Sequence, residues 1–143
     1  MNCVFFGHRD APQIVKEKIK DAILNLLNEG YRSFFVGNNG SFDALTQAAL
    51  QEVGEKHPEL KYNIVLSRID ESALNGKQEM TIFPEGGELF LPKYAILKRN
   101  DWMLKRASVL VVYLLNSYSN VAKYVKRARK KGIRVINLAK GKI

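Results

Sequence analysis

The chain has 143 residues, 46% hydrophobic and 26% charged, with no apolar run approaching the ~20 residues of a membrane span, as expected of one soluble domain. One cysteine and two histidines exclude a disulfide framework, a cysteine zinc site and a multi-histidine metal site, and four prolines with ten glycines exclude a collagen-like or low-complexity chain. The formal charge of +9 is unevenly placed: residues 1–92 carry 9 basic and 13 acidic side chains, whereas residues 93–143 carry 14 and 1, which points to a nucleotide, nucleic-acid or acidic partner, or to a solubilising face.

The N-terminal MNCVFFGHRD has neither the basic start nor the long apolar run of a secretion signal, so a cytoplasmic protein is expected. Residues 2–6 form a wholly apolar run, which suits a strand buried on both faces. Asp10 and Pro12 signal a helix start, and Val15, Ile19, Ala22, Ile23, Leu26 and Leu27 recur at helical spacing up to Gly30. Residues 33–36 (SFFV) are a second strand. Ser41 is placed to cap a helix carrying Phe42, Leu45, Ala49 and Val53, ended by Gly54 and Pro58. Residues 61–66 make a third strand. Residues 67–92 contain Asn75-Gly76, Pro84 and Gly86-Gly87 with little periodicity and read as a long loop that covers the site. A helix over 93–107 follows Pro92. Residues 108–115 (SVLVVYLL) are the most apolar strand, 119–131 a helix with one basic face, and 133–138 the last strand.

Alternating buried strands and amphipathic helices predict an α/β fold: a Rossmann-like three-layer sandwich with a mainly parallel five-stranded sheet and helices on both faces, in a single domain. Ligands of such sheets bind outside the carboxyl ends of the strands, near the point where strand order reverses. That rule selects the loops at 7–11, 37–42, 67–92 and 115–120. After the first strand, Gly7 permits a tight turn, His8 offers a hydrogen bond or an acid–base group, and Arg9 suits a phosphate or carboxylate. A solvated or helix-capping role for His8 and a surface ion pair for Arg9 are the alternatives. After the second strand, Gly37, Asn38, Asn39, Gly40 and Ser41 stand between a strand and a helix, as a phosphate cradle requires. They form neither a Walker motif nor a dinucleotide fingerprint. Asp43 suits a ribose hydroxyl, or compensates the dipole of its helix. After the most apolar strand, Ser117, Ser119 and Asn120 offer hydroxyl and amide groups at a helix N-terminus, or cap that helix. Arg99, on the preceding helix, is a further candidate.

CVFFGHRD, FFVGNNGSFDALTQAAL and LPKYAILKRNDWMLKRASVLVVYL together resemble small bacterial Rossmann-like proteins of the SLOG superfamily, and within it the YpsA-like branch. The resemblance spans nearly the whole chain. It implies a fold that binds nucleotides or nucleotide derivatives, with phosphate at Gly37, Asn38, Gly40 and Ser41, and with Gly7 and Arg9 in the same cleft. It also implies self-association, a homodimer being one form. The lonely-guy hydrolases of that superfamily carry a Gly-Gly motif and a glutamate where this chain reads LLNSYSNVAKY. Their carboxylate stabilises a developing oxocarbenium ion, so N-glycoside cleavage by that route is not expected. The function expected is binding of a nucleotide-like phosphorylated ligand, with no certain cofactor and no metal. The alternatives are an N-glycoside hydrolase or transferase using His8, Asp43, Glu85 or Glu88, and nucleic-acid binding by the basic C-terminal helix, as in the related DNA-uptake protein DprA.

Overall fold

Strand β1 (Asn2–Gly7) alternates between two separate cores, with Cys3 and Phe5 on one side and Val4 and Phe6 on the other. The computed structural model describes residues 1–8, 10–67, 81–84, 92–115 and 119–139, and the backbone alone of 92 and 93. The same alternation runs through β2 (Ser33–Val36), β3 (Lys61–Val65) and β5 (Ala107–Tyr113): Phe34, Val36, Ile64, Val109 and Val111 join the first core, and Phe35, Val65, Leu110 and Val112 the second. The apolar stretches of these strands result because both faces are covered there.

The first core is closed by α1 (Val15–Asn28) and α2 (Ser41–Lys56), the second by α3 (Pro92–Lys105) and α4 (Asn120–Lys130). The sheet is parallel in every pairing, in the order β4-β3-β2-β1-β5-β6, with β4 at Thr81–Ile82 and β6 at Arg134–Asn137. It therefore has six strands rather than the five read from the sequence. The extra one, β4, lies inside the stretch taken as a loop. Two residues show no periodicity, and β4 forms only by pairing Thr81 and Ile82 with Ile64 and Val65 at the sheet edge. The other strands and the four helices lie where the sequence places them.

Two helix ends differ in detail. Gly40, not Ser41, is the residue before α2, at φ 89°, ψ 177°, a conformation open essentially to glycine alone. Ser41 begins the helix and its hydroxyl donates to the Ala11 carbonyl at 3.0 Å. The helix also continues through Gly54 to Lys56. By contrast Ser119 does cap α4, accepting the Ala122 N–H at 3.3 Å.

Chain order runs outward from β1 through β2 and β3 to β4, then returns to the other side of β1 for β5 and β6. The reversal lies between β1 and β5, which pair from Asn2 to Gly7, ending at Gly7 opposite Tyr113. Loops leaving these two strands must diverge, and a crevice opens between them.

Candidate functional site

A cleft of about 380 Å³ occupies that crevice, a size within the ~300–1,000 Å³ of small-molecule sites. Each flanking element contributes. Gly7 and His8 come from the end of β1, Asn39 from the loop between β2 and α2, Asp43 from the first turn of α2, and Arg99 and Asn100 from the middle of α3. Ser119 and Asn120 come from the start of α4. Phe6, Ile96, Leu97, Val121 and Tyr124 supply apolar wall.

The polar floor is one connected network. Arg99 is only 5% exposed although it sits in a helix segment, Arg-Asn-Asp, that reads as polar surface. Its Nη1 donates to Asn39 Oδ1 at 2.7 Å, and its Nε and Nη2 donate to Asn100 Oδ1 at 3.0 and 2.8 Å. Asp43, 7% exposed, accepts the Asn39 backbone N–H at 2.8 Å and lies 4.0 Å from Arg99 Nη1. Burial pushes the Asp43 carboxyl above its ordinary value, opposed by Arg99 and the Asn39 N–H. The same burial pushes the Arg99 guanidinium down, opposed by Asp43. Two buried opposite charges with these partners cancel, so the pair presents little net charge to the cleft.

Gly37 makes this network possible. A Cβ there would overlap the Arg99 guanidinium and lie 2.8 Å from Asp43 Oδ2. Its carbonyl accepts from Gln47 Nε2 at 2.9 Å. The Gly37–Ser41 loop thus packs against an arginine and a carboxylate of its own chain. Asn39 lines the cleft, whereas Gly37, Asn38, Gly40 and Ser41 are not among the residues that line it. Asn38 Oδ1 is buried without a hydrogen-bond partner among the described residues.

On the opposite wall, His8 Nε2 accepts the Leu115 N–H at 3.1 Å and its ring meets Tyr113 edge-on at 6.0 Å. This contact ties the ends of β1 and β5 together across the mouth of the crevice. The first turn of α4 bears no acidic side chain, so its dipole is not offset from within the helix. Tyr124, whose hydroxyl donates to the Leu97 carbonyl at 3.5 Å, bonds α4 to α3 and is pushed up by burial and by Asp101.

Of the sequence-chosen residues, the structure brings together Gly7, His8, Asn39, Asp43, Arg99, Ser119 and Asn120. Arg9 and Ser117, like Glu85 and Glu88, lie outside the described residues. Asn100 and Tyr124 were not chosen. Asn100 is the neighbour of Arg99, and Tyr124 lies one turn into a helix read for its basic face, so neither carries a signal before α3 and α4 are packed together. Among the described residues no three His, Cys, Asp or Glu side chains are grouped to hold a metal ion, and no helix is long and apolar enough to cross a membrane. No protein-family model matches the chain, and no curated protein matches it.

Proposed function

We propose that the chain binds a phosphorylated nucleotide or nucleotide-derived ligand in the cleft between β1 and β5, as a sensing or regulatory module. The observation that carries this reading is the position and chemistry of the cleft: it lies where strand order reverses and is lined by the first turn of α4 together with amide, hydroxyl and apolar groups. The apolar residues Phe6, Ile96, Leu97, Val121 and Tyr124 suit the faces of a base and sugar, and Asn39, Asn100 and Asn120 suit their polar edges. The phosphate is assigned to the start of α4, beside Ser119 and Asn120. There the helix has no acidic side chain in its first turn to offset the dipole, and Ser119 serves one N–H of that turn, that of Ala122. The glycine loop before α2 is the less favourable phosphate position, because the Asn39 N–H already serves Asp43 and a second anion there would meet that carboxylate.

The substitution Asn120→Asp separates a phosphate site from a merely structural helix end. A carboxylate in the first turn of α4 stabilises the helix by about 0.3–1 kcal/mol. It also repels a phosphate in the same place. Calorimetric titration with ribonucleoside monophosphates is expected to show at least tenfold weaker binding to Asn120→Asp, with an unchanged or raised Tm and undiminished binding of the matching nucleoside. Equal affinity of both proteins for the phosphorylated compound would contradict the assignment.

A further inference from the structure

We propose that the solvent face of α4, formed by Lys123, Lys126 and Lys130 and flanked by Arg127, docks the phosphate backbone of a nucleic acid. The surface is separate from the cleft, which takes only the first turn and Tyr124 of the same helix. The three lysines stand at i, i+3 and i+7 and are exposed, directly opposite the buried Ala122, Tyr124, Val125 and Ala128. They recur about once per turn and make a straight row of cations along the helix.

Three observations argue against a solubilising role alone. Ion pairing interleaves charge on the other layer, where Glu52 holds Lys16 and Lys20. On the α3–α4 layer Asp101 is the one acidic side chain in either helix, and it is engaged by Arg127 at 2.7 Å. Among the described residues no carboxylate lies within ion-pair distance of Lys123, Lys126 or Lys130. Second, Lys126 and Lys130 are a like-charged i,i+4 pair, which destabilises an isolated helix. Third, Lys123 sits near the positive end of the α4 dipole, where a cation is disfavoured and an anion favoured. An external polyanion relieves all of these at once.

The same face also selects among polyanions. Binding to an anionic membrane needs apolar side chains to enter the acyl boundary, but the apolar side of α4 is buried in its own core and none of its residues is an exposed large hydrophobic. An acidic protein partner would require aromatic or aliphatic anchors, which the row lacks. A phosphate backbone needs only cations at regular intervals. Among the described residues no aromatic side chain is exposed between the lysines, so the contact is to backbone rather than to bases and is independent of sequence.

The test uses a fluorescently labelled 20-nucleotide duplex of mixed sequence, read by anisotropy between 50 and 200 mM salt. The wild-type chain is expected to bind at 50 mM, with log K falling against log salt with a slope of roughly −2 to −3 for three phosphate contacts. Lys123→Glu/Lys126→Glu/Lys130→Glu is expected to lose at least tenfold in affinity. Lys18→Glu/Lys56→Glu/Lys61→Glu changes the net charge equally but lies off the α3–α4 layer, and is expected to lose less than threefold. All six lysines are on the surface, and circular dichroism with a thermal melt verifies that each variant folds. No binding at 50 mM salt overturns the proposal. Equal losses in the two triple variants also overturn it, since net charge and not the row would then bind. Capture by phosphatidylserine vesicles without binding to the duplex overturns it in favour of a membrane surface.

Discussion

Arg99 is the residue on which the floor of the cleft depends. It bonds Asn39 and Asn100, faces Asp43, and fits only because residue 37 has no side chain. Removing one partner of a buried ion pair strands the other, at a cost of about 3–5 kcal/mol, whereas removing both is far milder. Arg99→Met is therefore expected to lose stability of about that size in urea unfolding, and Arg99→Met/Asp43→Asn to recover a substantial part. A loss below about 1 kcal/mol in the single variant would contradict the network, being no more than an exposed pair is worth. Little of this was legible in the sequence. Gly37, Asp43 and Arg99 were each chosen as ligand groups, but their mutual engagement joins positions far apart in the chain, and no local pattern encodes it. Cys3 makes a second test at this scale. Burial pushes its thiol from the ordinary 9.0 up to about 12, so the folded state resists forming the thiolate. Any stability linked to this thiol is intact below pH 9.0 and falls as pH rises from there towards about 12. At pH 8, alkylation by iodoacetamide is expected to be slow in the native protein and fast in denaturant. Equal rates would place Cys3 outside the core.

Among the elements, the strands that line the crevice declared themselves by composition, because β1 and β5 are apolar at nearly every position and must be covered on both faces. Their carboxyl ends are fixed by devices that composition does not reveal. Asn137, the last residue of β6, accepts the Leu114 and Ala139 N–H groups at 3.1 and 3.0 Å and donates to the Leu114 carbonyl at 3.2 Å. This side chain replaces ladder bonds where β5 leaves the sheet, just before the chain reaches the cleft. Asn137→Ala is expected to cost about 1–3 kcal/mol through the backbone groups it leaves unsatisfied, measured by thermal or urea unfolding. A change within a few tenths would mean that water replaces the amide without penalty. The edge strand β4 went unread for the opposite reason: its two residues are too few for any pattern, and its pairing with β3 alone defines it. The start of α2 was read one residue late, since Ser41 has the composition of a cap while Gly40 has the backbone conformation.

Across the whole molecule, topology and charge divide the work between two surfaces. The reversal of strand order between β1 and β5 places the cleft at one end of the sheet. The basic excess of residues 93–143 falls largely on the α3–α4 layer, although β6 also contributes Arg134, paired with Glu29 at 2.6 Å. Both features were foreseeable, because an alternating α/β order fixes the sheet end and the charge count fixes the sign of the patch. The internal balance of the cleft was not, since it depends on Arg99 being neutralised by Asp43 and on the start of α4 being left without an acid. The central claim is that this cleft holds a phosphorylated nucleotide-like molecule. It is tested most directly by native mass spectrometry of gently purified protein, followed by denaturing release and identification of any bound compound. The account predicts the mass of the chain plus one phosphorylated nucleoside derivative, recovered intact on release. A chain that carries nothing, both as purified and after incubation with a mixture of mono- and dinucleotides, would contradict it.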